Sequence, residues 1–207
     1  MRGPRLRRPF GVLALQGDFD AHLQALREVD AEVREVRRVA ELEGLSGLVI
    51  PGGESTTLLR LMQDEPWFPS LTSFHARGGV LFGTCAGAIL LAREVRPAQR
   101  SLGLLDAAIV RNAYGRQVDS FETTLDAPAL GGRLPAVFIR APRFDRLGAD
   151  VEVLASHGHE PVLLQQGRVL AATFHPELTR SRSVHELAVR LAGNPDLGQA
   201  SPRGAAA

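Results

Sequence analysis

The single cysteine of the chain, Cys85, stands in Gly83-Thr84-Cys85-Ala86-Gly87, between the apolar run Gly79-Val80-Leu81-Phe82 and the helix-like run Ala88-Ile89-Leu90-Leu91-Ala92. Glycines on both sides of one nucleophilic atom, at a strand-to-helix junction, describe a nucleophile elbow, a tight turn that lifts the side chain above the sheet. The helix start behind it offers backbone N–H groups and a positive dipole end, which favour a thiolate and an oxyanion. A cysteine nucleophile needs a base within hydrogen-bond reach, and the base needs a third group to orient it. His175-Pro176-Glu177 fits both roles: spaced two apart after a strand, the two side chains are expected on one side of an extended backbone. A third segment, Pro51-Gly52-Gly53-Glu54-Ser55-Thr56-Thr57, sets two glycines at a helix start, where N–H groups can face a developing negative charge. One N–H from the Gly52-Gly53 turn and one from Ala86 would form a two-donor oxyanion hole, each donor contributing about 3 kcal/mol to the transition state. The chemistry described is acyl transfer from a carbonyl substrate.

These residues need a scaffold that brings strand ends together. Apolar strands alternate with helical patterns through the first half, as in an α/β fold whose open, mostly parallel sheet carries helices on both faces. Phe10 to Leu15 reads as the first strand, followed by a helix capped by Asp20 with Phe19, Leu23 and Leu26 on one face. Glu32 to Val39 reads as a strand, Gly47 to Ile50 as a short buried one, and Thr56 to Met62 and Ser70 to Ala76 as helices. The elbow helix is expected over Ala86 to Val95. The second half predicts strands over Asp106 to Val110, Val118 to Leu125 and Ala136 to Ile139, giving a mixed sheet. A hairpin of Val162 to Gln165 and Val169 to Phe174 then delivers His175. Val184, Leu187, Ala188 and Leu191 form the stripe of a last helix.

At 207 residues and 44% hydrophobic content, the chain is long enough for one full α/β core. Residues 10–193 are expected to form a single domain, residues 1–9 a disordered basic extension, and residues 194–207 a frayed tail. A net charge of +1 argues against a nucleic-acid partner. No apolar run approaches the roughly 18 residues of a membrane span, and the basic start lacks the apolar core of a secretory signal, so a cytoplasmic location is expected. All 24 Lys+Arg residues are arginine. Lysine Schiff-base chemistry is thereby excluded, as is a P-loop reading of Pro51 to Ser55.

The motifs GTCAG, PGGESTT and FHPEL resemble those of class I, triad-type glutamine amidotransferases. The longer strings Gly11 to Gly17, Gly115 to Phe121 (GRQVDSF), Phe138 to Pro142 (FIRAP) and Phe174 to Thr179 are similar to those of one subgroup, the glutaminase subunits of pyridoxal 5′-phosphate synthases. The resemblance spans about residues 10 to 192 and implies a flavodoxin-like class I glutaminase fold. It also implies that Cys85 attacks the side-chain amide of L-glutamine, that His175 protonates the departing ammonia, and that Glu177 orients His175. Glutamine contacts map onto Gly53, Glu54, Ser55, Arg111, Ile139 and Arg140. A carboxylate such as Glu54 suits the substrate ammonium and a guanidinium suits its carboxylate, but which group meets which is left open. No cofactor is expected. Because ring synthesis in such systems proceeds through lysine imines, the resemblance implies a lysine-bearing synthase subunit as partner in a large hetero-oligomer. A glutaminase serving a different acceptor, and a non-catalytic regulatory module, are the alternatives.

Other residues read more plainly. His157-Gly158-His159-Glu160 invites a metal reading, but no further ligand cluster accompanies it, and no metal is expected. His22, His75 and His185 lie on predicted helices and are expected at the surface. Leu58, Leu61 and Met62 are expected in the core.

Overall fold

The computed structural model describes residues 8–111 and 120–194. In chain order its regular elements are β1 (Phe10–Leu13), α1 (Phe19–Arg27), β2 (Val33–Val36), β3 (Gly47–Ile50), α2 (Ser55–Leu61), α3 (Trp67–Ala76), β4 (Val80–Thr84) and α4 (Ala86–Leu91). They continue with β5 (Ala92–Arg96), β6 (Leu105–Val110), β7 (Ser120–Ala127), β8 (Gly132–Ile139), β9 (Arg143–Leu147), β10 (Glu152–His157), β11 (Glu160–Gln166), β12 (Val169–Ala172) and α5 (Ser183–Gly193).

A nine-stranded sheet runs in the order β2-β1-β3-β4-β12-β11-β10-β7-β8, and a second sheet in the order β5-β6-β9. From β2 to β12 all pairings are parallel; from β12 to β8 all are antiparallel. The sheet is therefore mixed, as the change in pattern at mid-chain predicts. Side chains of the parallel strands alternate between two cores. Phe10, Val12, Val49, Val80 and Phe82 pack with Leu23 and Leu26 of α1 and Val184, Ala188 and Leu191 of α5. Leu13, Leu48, Ile50 and Leu81 pack with Leu58, Trp67, Leu71, Phe74 and Ile89 on the other face. This two-sided burial explains why these strands read as continuous apolar runs.

Several boundaries differ from the sequence reading. Asp18, not Asp20, caps α1, its carboxylate accepting from the Ala21 N–H at 3.2 Å. The elbow helix stops at Leu91, because Ala92 turns extended and residues 92–96 pair with β6. Ion pairs of Arg93 with Asp106 and of Arg96 with Asp145 hold that strand, overriding the local helical pattern. Helix α3 begins at Trp67, three residues early. Of GRQVDSF, only Ser120 and Phe121 fall within the described residues. The expectations for residues 1–7 and 195–207 fall outside them.

Candidate active site

Strands β3, β4 and β12 are parallel neighbours, so the segments leaving their carboxyl ends emerge side by side. Those segments are Pro51-Gly52-Gly53, Cys85 and His175. This sheet edge is where open α/β folds place ligands.

Cys85 has φ 47° and ψ −100°, a conformation costly for any residue with a side chain. Its N–H donates to the Ala172 carbonyl at 2.8 Å, and its own carbonyl accepts from Ile89 N–H at 3.1 Å, which begins α4. The flanking glycines are required by close approach. A Cβ at Gly83 would lie 2.5 Å from the Gly87 carbonyl, and one at Gly87 would lie 2.0 Å from the Ile50 oxygen. The thiol is 7% exposed.

His175 and Glu177 meet with Nδ1 2.7 Å from Oε1. They do so through a 3₁₀ turn over Pro176–Leu178 rather than the extended backbone expected from their spacing. Burial opposes charge on His175, yet its hydrogen bonds to Cys85 and Glu177 raise it to about 10. Glu177 is buried, which resists its charge, but the neighbouring His22 and His175 rings together hold it well below the usual carboxylate range. The carboxylate is thus a fixed negative charge behind the imidazole.

Gly52 lies against the imidazole: a Cβ there would stand 2.5 Å from His175 Cε1 and 3.4 Å from Cys85 Cβ. Gly53 has φ +123°, a backbone reserved for glycine. Gln16 braces the turn, its Nε2 donating to the Glu54 carbonyl at 2.9 Å. Glu54 caps α2 by accepting from the Thr57 N–H at 2.8 Å and from the Thr56 hydroxyl. The Thr56 contact leads in lowering Glu54 to about 2, so it is an anion at neutral pH.

A cleft of about 170 Å³ opens above Cys85, suited to a ligand of amino-acid size. Its walls contain Gly53, Glu54, Ser55, Arg111, Ile139 and Arg140, together with Ile89 and His175. Every residue singled out from sequence as a substrate contact therefore lines one space. Arg111 Nη2 lies 3.5 Å from Glu54 Oε1, while its Nε is buried with no hydrogen-bond partner among the described residues. Ser55 Oγ donates to Gln99 Oε1 at 3.0 Å. The cleft thus offers an anion and a guanidinium to a zwitterionic ligand, and a thiol, an imidazole and helix-start N–H groups to its carbonyl.

Sequence reasoning missed Gln16 and Gln99, which carry no spacing signal, and misplaced two histidines. His22 and His185 are wholly buried, with His22 Nε2 3.3 Å from Glu177 Oε2. A signal was present: His22 stands three residues after Phe19 and four before Leu26, within the apolar stripe of α1. Among the described residues, no group of three His, Cys, Asp or Glu side chains is placed to hold a metal ion, and no helix is long and apolar enough to cross a membrane.

Residues 12–193 match the SNO glutamine amidotransferase family. The chain is 54% identical over 189 residues to the pyridoxal 5′-phosphate synthase subunit PdxT of Deinococcus radiodurans, covering 88% of this chain and 96% of that one. It is 52% identical over 191 residues to the subunit of the same name from Thermus thermophilus, covering 91% and 100%. A crystal structure of a glutamine amidotransferase superposes with a TM-score of 0.84 at 50% identity, over 89% of this chain and 99% of that one. The structure of PurLQS from Thermotoga maritima, 18% identical with a TM-score of 0.66, shares the fold.

Proposed function

Because the chain belongs to the SNO glutamine amidotransferase family, we propose that it is the glutaminase subunit of a pyridoxal 5′-phosphate synthase. It hydrolyses L-glutamine to L-glutamate and ammonia, and passes the ammonia to a synthase partner subunit. The convergence of Cys85, His175 and the Gly52-Gly53 turn on one cleft is the observation that carries this reading.

Cys85 Sγ attacks the side-chain carbonyl carbon with its thiol proton held on His175. Charge developing on the carbonyl oxygen is met by N–H groups at the Gly52-Gly53 turn and at Ala86, the first residue of α4, whose N–H has no partner within the helix. His175 returns the proton to nitrogen as the C–N bond breaks, leaving a thioester and free ammonia. Water, deprotonated by His175, then cleaves the thioester to release glutamate and restore the thiol. Glu177 holds His175 with Nδ1 protonated, so that Nε2 serves Cys85. Arg111 takes the substrate α-carboxylate, which satisfies its buried Nε, and Glu54 takes the α-ammonium.

The chain contains no lysine, so imine chemistry on sugar phosphates belongs to a lysine-bearing partner. Delivery inside a hetero-oligomer would keep ammonia from protonation in bulk water. The test is glutamate release by the chain with and without a candidate synthase, read together with pyridoxal phosphate formation. Glutamate and pyridoxal phosphate should rise together, and both should vanish in Cys85→Ala. Glutamate release that persists in that variant would refute the assignment of Cys85.

A further inference from the structure

Glu177 has two oxygens and the triad uses one. Oε1 accepts from His175, whereas Oε2 is buried without an aligned hydrogen bond among the described residues. The group nearest Oε2 is His22 Nε2, at 3.3 Å. A carboxylate with one oxygen unpaired in a dry interior is costly unless a donor or positive group faces it, and His22 is that group.

The hydrogen-bond roles of this ring follow from its neighbours. His22 Nδ1 lies 3.0 Å from His185 Nε2, and His22 Nε2 also lies 3.3 Å from Thr84 Oγ1. His185 is fully buried, and its Nδ1 has no partner among the described residues. Burial pushes His185 down to about 3, so it is neutral and carries one proton. That proton belongs on Nε2, where an acceptor waits, rather than on the orphaned Nδ1. His185 Nε2–H therefore donates to His22 Nδ1, which leaves the His22 proton on Nε2, aligned on Thr84 Oγ1 and 3.3 Å from Glu177 Oε2. The other groups around the pair are the edge of the Phe82 ring, 6.1 and 5.7 Å from the two histidine centroids, and Arg182, which is engaged with Glu28.

We propose that His22 and His185 are positioning residues of the glutaminase site. His22 holds the second oxygen of Glu177, and His185 fixes the tautomer in which His22 can do so. The ordered chain runs from His185 through His22 to Glu177, then from His175 to Cys85, with an imidazole facing each oxygen of Glu177. Neither histidine touches substrate. The proposal rests on the glutaminase reading for its kinetic consequences, but not for its effect on Cys85.

The test uses the full chain and two substitutions at one position. His22→Gln keeps an N–H near the place of Nε2; His22→Leu removes it. Cys85 alkylation by iodoacetamide is followed against pH, alongside glutamine turnover with the synthase partner and thermal unfolding. His22→Leu should lower kcat roughly 10- to 100-fold, the worth of a hydrogen bond to a charged group, with KM within about twofold. It should also move the acid limb of alkylation upward by about one pH unit, because Glu177 then protonates more readily. His22→Gln should retain most of both. An acid limb and kcat unchanged in His22→Leu, even with a lower melting temperature, would show packing alone and overturn the proposal. Equal impairment of the two variants would overturn it as well. If His22→Leu does not fold, His22→Asn replaces it, since its shorter amide cannot reach Glu177. Asn matching Gln then refutes the proposal, and Asn falling well below Gln supports it. A shifted alkylation profile without glutamine turnover in any form would sustain the positioning role and reject the glutaminase assignment.

Discussion

At the scale of single residues, the cleft is built from groups that each do two jobs. Glu54 caps α2 and charges the cleft wall; Gly52 turns the chain and leaves space for the His175 ring. Arg111 is the sharpest case, because its buried Nε has no partner among the described residues and its guanidinium faces the same space as the thiol. Arg111→Gln should raise KM for glutamine by roughly 10- to 100-fold, the value of a charge-assisted hydrogen bond. Its effect on kcat should be smaller, because the contact is made equally in ground and transition states. Steady-state kinetics with the partner present would separate the two parameters. A fall in kcat alone would place Arg111 at the reacting carbonyl instead.

At the scale of elements, the elbow depends on how closely α4 can approach β3 and β4. The Gly87 Cα lies against the Ile50 backbone, and an added Cβ would meet its carbonyl oxygen at 2.0 Å. Backbone on both sides leaves nothing flexible to yield. Gly87→Ala should therefore destabilise the fold by about 1–3 kcal/mol and displace Cys85, lowering both the melting temperature and glutamine turnover. A variant with wild-type melting temperature would mean that α4 can shift outward freely. The GTCAG glycines were legible in the sequence because the requirement is local to the turn. The end of α4 was not: the helical pattern continues through Val95, and only pairing with β6 and ion pairs to Asp106 and Asp145 convert residues 92–96 to strand.

At the scale of the whole molecule, buried ionisable groups link folding to pH. His185 is lowered to about 3 in the folded state. Between that value and its ordinary value near 6.5 the unfolded chain binds a proton that the native chain refuses, so stability falls as pH falls through this window. His175 is raised to about 10. Its contribution is complete below about 6.5 and is lost as pH rises towards 10. Glu177, depressed on folding, adds to the acid loss only below the ordinary carboxylate range. The melting temperature should accordingly peak near pH 6–7, with His185→Leu flattening the acid side between about pH 6.5 and 4.5 and His175→Gln flattening the alkaline side. Parallel profiles for wild type and both variants would show that these groups are not what links stability to pH.

The amino-acid sequence by itself determined the alternation of strands and helices, the elbow around Cys85, the His175 to Glu177 segment and the glycine turn at residues 52–53. Each is local: steric demands on a few adjacent residues, or a periodicity of two or 3.6, are written in neighbouring positions. Only the tertiary structure decided that β3, β4 and β12 are adjacent and parallel, which brings three distant segments to one edge. It also decided that Arg111 and Arg140 enter the same cleft from β6 and β8, and that the apolar stripes of α1 and α5 bury two histidines against each other, with His22 beside Glu177. A helical stripe shows which face of an element is covered but not what covers it. His22 and His185 lie 163 residues apart, and their meeting behind the active site follows from sheet order and layer packing, which no short window of sequence contains.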